Sequence, residues 1–273
     1  MPERITSRKN EIVRNAARLS SSAEYRREQG AFFAEGARLC GDAAQSGLTV
    51  SVLFYTVQAA ERYGSYLEVI QRGARQIYEV DPHVAELLSG TKTTQGVFCV
   101  CEMPRREVSL AAIKADRHYL ALENIQDPAN LGAVLRTAEA LGVGGVLLAG
   151  SCCDVFSPKV LRASMGAVFR LPFYFAESMP DAVVLCEKLG FETLAAIPDA
   201  SAQPITDLSF DKPVIIAVGN EGNGLTEQAV SACSRRVTIP MRGRAESLNA
   251  SASAAILMWE MMRNQPGGTQ NGH

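Results

Sequence analysis

The sequence predicts an α/β protein in two units, a small alternating unit followed by a larger one built on a mostly parallel sheet with helices on both faces. Three observations predict it. The chain has 273 residues, more than most single domains hold. Runs such as PVIIAV (213–218) and GVLLAG (145–150) are apolar at nearly every position, which suits strands buried on both faces. Such runs alternate with stretches of helical periodicity, the order that produces parallel crossovers. A charged segment from Met103 to His118 separates the two units.

In the first unit, apolar residues at Ile5, Ile12, Val13, Ala16, Ala17 and Leu19 predict a basic amphipathic helix from Ile5 to about Leu19. Strands follow at FFAEG (32–36), SVLFYT (51–56), ARQIYEV (74–80) and GVFCVC (96–101), with helices between them at 38–47, 60–73 and 81–90. The second unit opens with a strand at HYLALENI (118–125) and a helix at NLGAVLRTAEALG (130–142). GVLLAG leads to a helix over 157–168, with Ser157 as N-cap and Pro158 at the first helical position. Further strands are expected at 169–175, 191–197, 212–218 and 235–240, and helices at 181–190, 225–233 and 248–263. These boundaries give a domain over 1–104, a linker over 105–116, a second domain over 117–265 and a disordered tail over 266–273, which lacks apolar residues.

A net charge of −2 argues against a surface that grips nucleic acid everywhere. The first thirty residues nevertheless carry seven basic against four acidic side chains, a local excess that a solvated helix face would also show. Seven cysteines without a C-x-x-C pair read as reduced thiols, not as a zinc or disulfide framework. The N-terminal MPERITSRKN has no apolar core for a signal peptide, and no run reaches the roughly 20 apolar residues of a membrane span. A soluble cytoplasmic protein is expected, with no membrane partner and no metal.

VGNEGNGL (218–225) follows the most apolar strand and holds three glycines, which implies a turn or a close approach of backbone to another molecule. Gly219, Gly222 and Gly224 are spaced G-x-x-G-x-G, whereas a dinucleotide fingerprint requires G-x-G-x-x-G. Leu225, Thr226 and Glu227 follow where a phosphate-binding loop would present Lys and Ser or Thr. Two other stretches share this placement of polar residues and glycine beyond a strand: ENIQDPANLGAVLRTAEALG (123–142) and IPMRGRAESLNASASAA (239–255). Taken singly, Asn130 reads as a helix cap, Arg136 with Glu139 as a surface pair, and Ser247 as a cap.

Taken in order, the three stretches resemble the three motifs of the SpoU (TrmH-like) branch of the SPOUT RNA methyltransferases, over roughly 117–263. The N-terminal unit is similar, more weakly, to the L30e-like substrate-binding domain of such enzymes. The resemblance implies a C-terminal domain with a deep trefoil knot whose loops hold S-adenosylmethionine, dimerisation through that domain, and methyl transfer to a ribose 2′-hydroxyl. It implies cofactor contacts at Gly219, Ile239 and Leu248, with Leu194 on the preceding strand, Gly224 in the loop and Met241 mainly as packing. It implies catalytic roles for Arg136 and Asn130 of motif one, Glu221 of motif two, and Ser247 and Asn249 of motif three. Ribosomal RNA is the first choice of substrate and tRNA the second. A non-catalytic RNA-binding protein and a nucleotide-dependent dehydrogenase are the alternatives, the latter disfavoured by glycine spacing. Ala129 stands where relatives often carry glycine, which removes no functional group.

Overall fold

The computed structural model describes residues 2–104 and 110–263; part of the expected linker and the whole expected tail lie outside the described residues. The first half contains β1 (Glu3–Ile5), α1 (Glu11–Ser21), α2 (Ala23–Gln29), β2 (Ala31–Glu35), α3 (Ala37–Gln45), β3 (Val50–Tyr55), α4 (Val57–Arg62), α5 (Gly64–Gln71), β4 (Gln76–Val80), α6 (Pro82–Leu88) and β5 (Val97–Glu102). The second contains β6 (Tyr119–Glu123), α7 (Pro128–Ala140), β7 (Val146–Ala149), α8 (Pro158–Ala163), β8 (Phe173–Ala176), α9 (Met179–Lys188), β9 (Glu192–Ala196), β10 (Gln203–Pro204), β11 (Val214–Val218), α10 (Glu227–Ala232), β12 (Arg235–Thr238) and α11 (Ala250–Met262).

The chain divides into two compact units, Met1–Arg105 with Asp154–Arg170, and Arg106–Cys153 with Leu171–His273. The sequence assigns 117–265 to one continuous domain; in the structure the α8 segment packs with the first unit. Phe32 of β2 stacks on Phe156 and Phe169 at centroid distances of 5.1 and 5.7 Å. The buried Arg26 guanidinium donates to Asp154 at 2.7 Å and to the Leu19 carbonyl at 2.6 Å. The contacts to Phe156, Phe169 and Asp154 join residues more than a hundred positions apart and leave no periodic trace in the sequence.

The first sheet has the order β1-β4-β3-β5-β2. β5 runs antiparallel to β2 and β3, while β4 is parallel to β1 and β3. Ile5, expected to begin a helix, instead ends β1 opposite Val80. Helix α1 starts only after Asn10, whose side chain accepts from the Ile12 and Val13 amides. The single helix expected over 60–73 is broken at Tyr63 (φ −123°, ψ 30°), giving α4 and α5. Helix α2 escaped prediction because it buries only Tyr25 and Arg26, too few positions for an apolar period. The helix expected over 157–168 does begin at Ser157 and Pro158, but ends at Ala163, because Met165 (φ 52°) and Gly166 (φ 78°) turn left-handed.

The second sheet has the order β10-β12-β9-β11-β6-β7-β8, and every pairing is parallel. Its central strands β6 and β11 are buried at every position. Tyr119, Ala121, Ile215 and Ala217 share one core with Val183 and Cys186 of α9. The alternating residues Leu120, Leu122 and Ile216 point to the other face, where α11 packs on β11 and α7. Full burial of each such aliphatic side chain contributes about 1.5–3 kcal/mol. Since the strands are parallel, the carboxyl ends of β6, β9, β11 and β12 open along one edge, the position at which open parallel sheets place ligands.

Candidate active site

A pocket of about 380 Å³ lies beyond the carboxyl ends of β9, β11 and β12. One wall is the segment Gly219–Leu225, which leaves β11 and folds back on itself. Asn220 and Gly224 form an isolated antiparallel bridge, with the Gly224 amide donating to the Asn220 carbonyl at 3.0 Å. The Asn220 side chain accepts from the Gly222 and Asn223 amides at 3.0 and 2.7 Å, a turn closed by its own first residue. The three glycines differ. A β-carbon at Gly219 would lie 2.0 Å from the Gly224 carbonyl carbon, so only glycine permits this closure. Gly224 has φ +66°, whereas Gly222 has neither a positive φ nor a neighbour nearer than 3.8 Å.

The far end of the loop is anchored from below. Glu123, the last residue of β6, is buried, and its carboxylate accepts from the Thr226 amide at 2.8 Å and the Thr226 hydroxyl at 3.0 Å. That hydroxyl in turn caps α10 through the Ala229 amide.

Side chains from all three motifs meet beside this loop. Asp127, not Asn130, caps α7: its Oδ1 accepts from the Asn130 amide at 2.8 Å, with Pro128 at the start of the helix. The Asn130 side chain is therefore spared for a longer-range contact and donates to Glu221 Oε1. Asn249, not Ser247, caps α11 through Oδ1, which accepts from the Ser251 and Ala252 amides. Its Nδ2 donates to Asn130 Oδ1 at 3.1 Å. Glu221, Asn130 and Asn249 thus form one hydrogen-bonded series.

Of the remaining sequence-derived candidates, Gly219, Gly224, Ile239, Met241, Ser247 and Leu248 line the pocket, as does Glu221. Leu194 does not. It is buried inside β9, and the lining there comes from Ala196, Ile197 and Pro198 at the strand end. Strand alternation and depth within the sheet, neither fixed by a motif match, decide that outcome. Arg136 is exposed on α7. Sequence reasoning missed Glu123 and the turn-closing Asn220. The Asn-x-Gly-Asn run is a legible turn signal, but the burial of Glu123 is not. Burial pushes the Cys186 thiol up to about 11 and the Cys233 thiol up to about 12, so these two stay protonated and offer no thiolate.

Residues 117–259 match the SpoU rRNA Methylase family. The chain belongs to that family. Residues 10–99 of this SpoU-family chain match the MRM3-like substrate binding domain. It is 29% identical over 260 residues to the 23S rRNA (guanosine(2553)-2′-O)-methyltransferase RlmP of Bacillus subtilis, covering 95% of this chain and 99% of that protein. It is likewise 29% identical to the 23S rRNA (uridine(2479)-2′-O)-methyltransferase of Streptomyces viridochromogenes, covering 97% and 93%. Among solved structures, the AdoMet-bound rRNA methyltransferase from Sinorhizobium meliloti superposes with a TM-score of 0.85 at 30% identity, over 97% of this chain and 99% of that one.

Proposed function

We propose that this protein transfers a methyl group from S-adenosylmethionine to a ribose 2′-hydroxyl of RNA, with ribosomal RNA as substrate ahead of tRNA. The observation that carries the reading is the joining of Asn130, Glu221 and Asn249, from three separate segments, at the rim of a glycine-walled pocket. The full-length relatives named above act on 23S rRNA, which favours the ribosomal substrate.

The pocket suits the cofactor. Val218, Leu225, Ile239 and Leu248 offer apolar contact to an adenine ring, while the backbone of the 219–224 turn supplies polar groups at close range. Gly219, Gly224, Ile239, Ser247 and Leu248 would hold S-adenosylmethionine, whose sulfonium supplies the activated methyl group. The chain's own task is to align the ribose and manage the hydroxyl proton. Asn130, held from both sides by Glu221 and Asn249, presents a fixed amide to the incoming nucleotide. The Arg136 guanidinium acts by gripping the adjacent phosphate through its fork of N–H donors and stabilising developing alkoxide. In this reading the C-terminal domain carries the trefoil knot and the first unit is L30e-like.

The same reading includes a homodimer through the C-terminal domain. Helix α11 buries Ala254, Leu257, Met258 and Met261, yet Trp259 is 57% and Ile256 39% exposed. A helix apolar on all sides is adapted to burial on all sides. No helix among the described residues is long and apolar enough to cross a membrane. An enzyme of ribosomal RNA would work in the cytoplasm.

The test is transfer of labelled methyl to ribosomal RNA from cells lacking the protein, with cofactor binding measured separately. Wild type is expected to label a 2′-hydroxyl, and Arg136→Ala to lose most transfer while cofactor affinity stays near wild type. Normal turnover by Arg136→Ala would remove that residue from the chemistry. Absence of both cofactor binding and transfer in wild type would overturn the reading.

A further inference from the structure

A second pocket of about 380 Å³ lies in the first unit, where α3, the segment 89–95 and the end of α8 meet. Its base is organised by Glu35, which is buried at the end of β2. The carboxylate accepts from the Ser89 hydroxyl at 2.5 Å, the Gly90 amide at 3.0 Å and the Thr91 hydroxyl at 3.0 Å, and pairs with Arg162 Nη1 at 3.4 Å. Glu35 is thus fully engaged in positioning the loop and Arg162. Arg162 retains unused donors, since a guanidinium has five N–H groups and this one makes a single hydrogen bond among the described residues.

The rest of the lining is unspent. Arg38 is exposed, and neither its side chain nor that of Asp42 forms an ion pair or hydrogen bond among the described residues. Gln95 accepts from the Ala37 amide through Oε1 at 2.9 Å, which leaves its NH₂ group as a donor. Met165 is 39% exposed and holds a left-handed backbone (φ 52°) that costs an ordinary residue about 1–2 kcal/mol. Strain of this kind gathers at ligand-binding positions. The next residue, Gly166, has φ +78°, which favours glycine, and a β-carbon there would come within 2.9 Å of the Asp42 carboxylate and displace it.

We propose that this pocket receives one unpaired guanine nucleotide of the RNA substrate, at a position away from the methylated ribose. Two guanidinium groups suit the flanking phosphates, and the Leu39 and Met165 side chains provide an apolar side for the base. The Asp42 carboxylate offers acceptors, and of the four bases guanine alone presents two adjacent N–H donors on its pairing edge. The Gln95 amide complements this by donating to a base oxygen. The pocket thereby selects which RNA is methylated while the C-terminal site performs the transfer. This assignment rests on the methyltransferase reading, but binding tests it without turnover.

The experiment measures filter retention of ribosomal RNA from cells lacking the protein, alongside the KM for the same RNA in methyl transfer. Arg38→Glu and Asp42→Asn are expected to weaken RNA binding and raise that KM by about tenfold or more, with S-adenosylmethionine affinity unchanged. In wild type, 5′-GMP should compete with the RNA and 5′-AMP should not, and Asp42→Asn should abolish that difference. Arg38→Glu that is folded by circular dichroism and retains RNA like wild type overturns the proposal. So does competition by 5′-GMP with unchanged RNA retention in both variants, which would mark a site for free nucleotide. If wild type transfers no methyl but the retention contrast holds, the activity assignment fails and the pocket assignment stands.

Discussion

Replacing Gly219 by alanine should damage the cofactor loop far more than the same change at the other two glycines. The added β-carbon would lie 2.0 Å from the Gly224 carbonyl carbon, 2.1 Å from its oxygen and 2.2 Å from the Leu225 nitrogen. All three are backbone atoms, and ordinary contact begins near 3.4 Å, so main chain must retreat by about 1.4 Å. No rotamer change relieves such a clash. Overpacking costs about 1–3 kcal/mol, and opening the Asn220–Gly224 bridge forfeits about another 1 kcal/mol. If the loop absorbs the loss, affinity for S-adenosylmethionine falls by roughly 30- to 700-fold, at 1.4 kcal/mol per tenfold. Gly224→Ala meets no neighbour within 4 Å but keeps φ +66°, a cost of about 1–2 kcal/mol. Gly222→Ala meets neither obstacle and should bind within about twofold of wild type, the scale of an unstrained surface change. Titration calorimetry on the three variants, each checked by circular dichroism, gives the ranking. A folded Gly219→Ala that binds the cofactor like wild type, or a Gly222→Ala that is the worst of the three, would refute the reasoning.

Glu123→Gln replaces a carboxylate that accepts two hydrogen bonds from Thr226 with a side chain that turns a donor toward one of them; thermal melts should show about 1–3 kcal/mol of destabilisation, and cofactor affinity should fall with it. Asn249→Ala removes both the cap of α11 and the support of Asn130, so calorimetry and transfer assays should show about 1 kcal/mol lost in stability and a larger proportional loss in turnover than in cofactor affinity. Asn249→Ser, which retains a capping oxygen, should recover the stability and not the turnover. Burial holds the His118 imidazole below its ordinary pKa of 6.5, and its Nδ1 accepts from the Val214 amide at 3.2 Å. The unfolded chain therefore binds more protons than the folded one as pH falls below 6.5, so stability declines from pH 7 downward until the folded value is reached. Urea denaturation of wild type and His118→Gln across pH 5–8 should show that slope reduced in the variant; equal slopes would remove His118 as its source.

Several features were legible in the sequence because their causes are local. Buried strands declare themselves by apolar runs such as PVIIAV, and the start of α8 by Ser157 followed by Pro158. The three motifs sit just after strands, and a parallel sheet places all such ends on one edge, so their convergence followed from the fold class. What the sequence alone left open was decided between residues distant along the chain. Asn130 reads equally well as a cap until Asp127 takes that role and Glu221, 91 residues away, takes its amide. Asn249 closes the series across 119 residues, and Glu123 reaches Thr226 across 103. Three glycines look alike in VGNEGNGL, yet only the approach of Gly224 to Gly219 shows which of them excludes a side chain by contact. Leu194 falls outside the pocket because depth within a sheet is set by neighbouring strands, and Asp154–Arg170 joins the first unit through Phe32, Arg26 and Glu35. Periodicity, caps and turns act over a few residues and can be read in order; side-chain pairing and close packing depend on which segments the completed fold brings together, and that is a property of the tertiary structure.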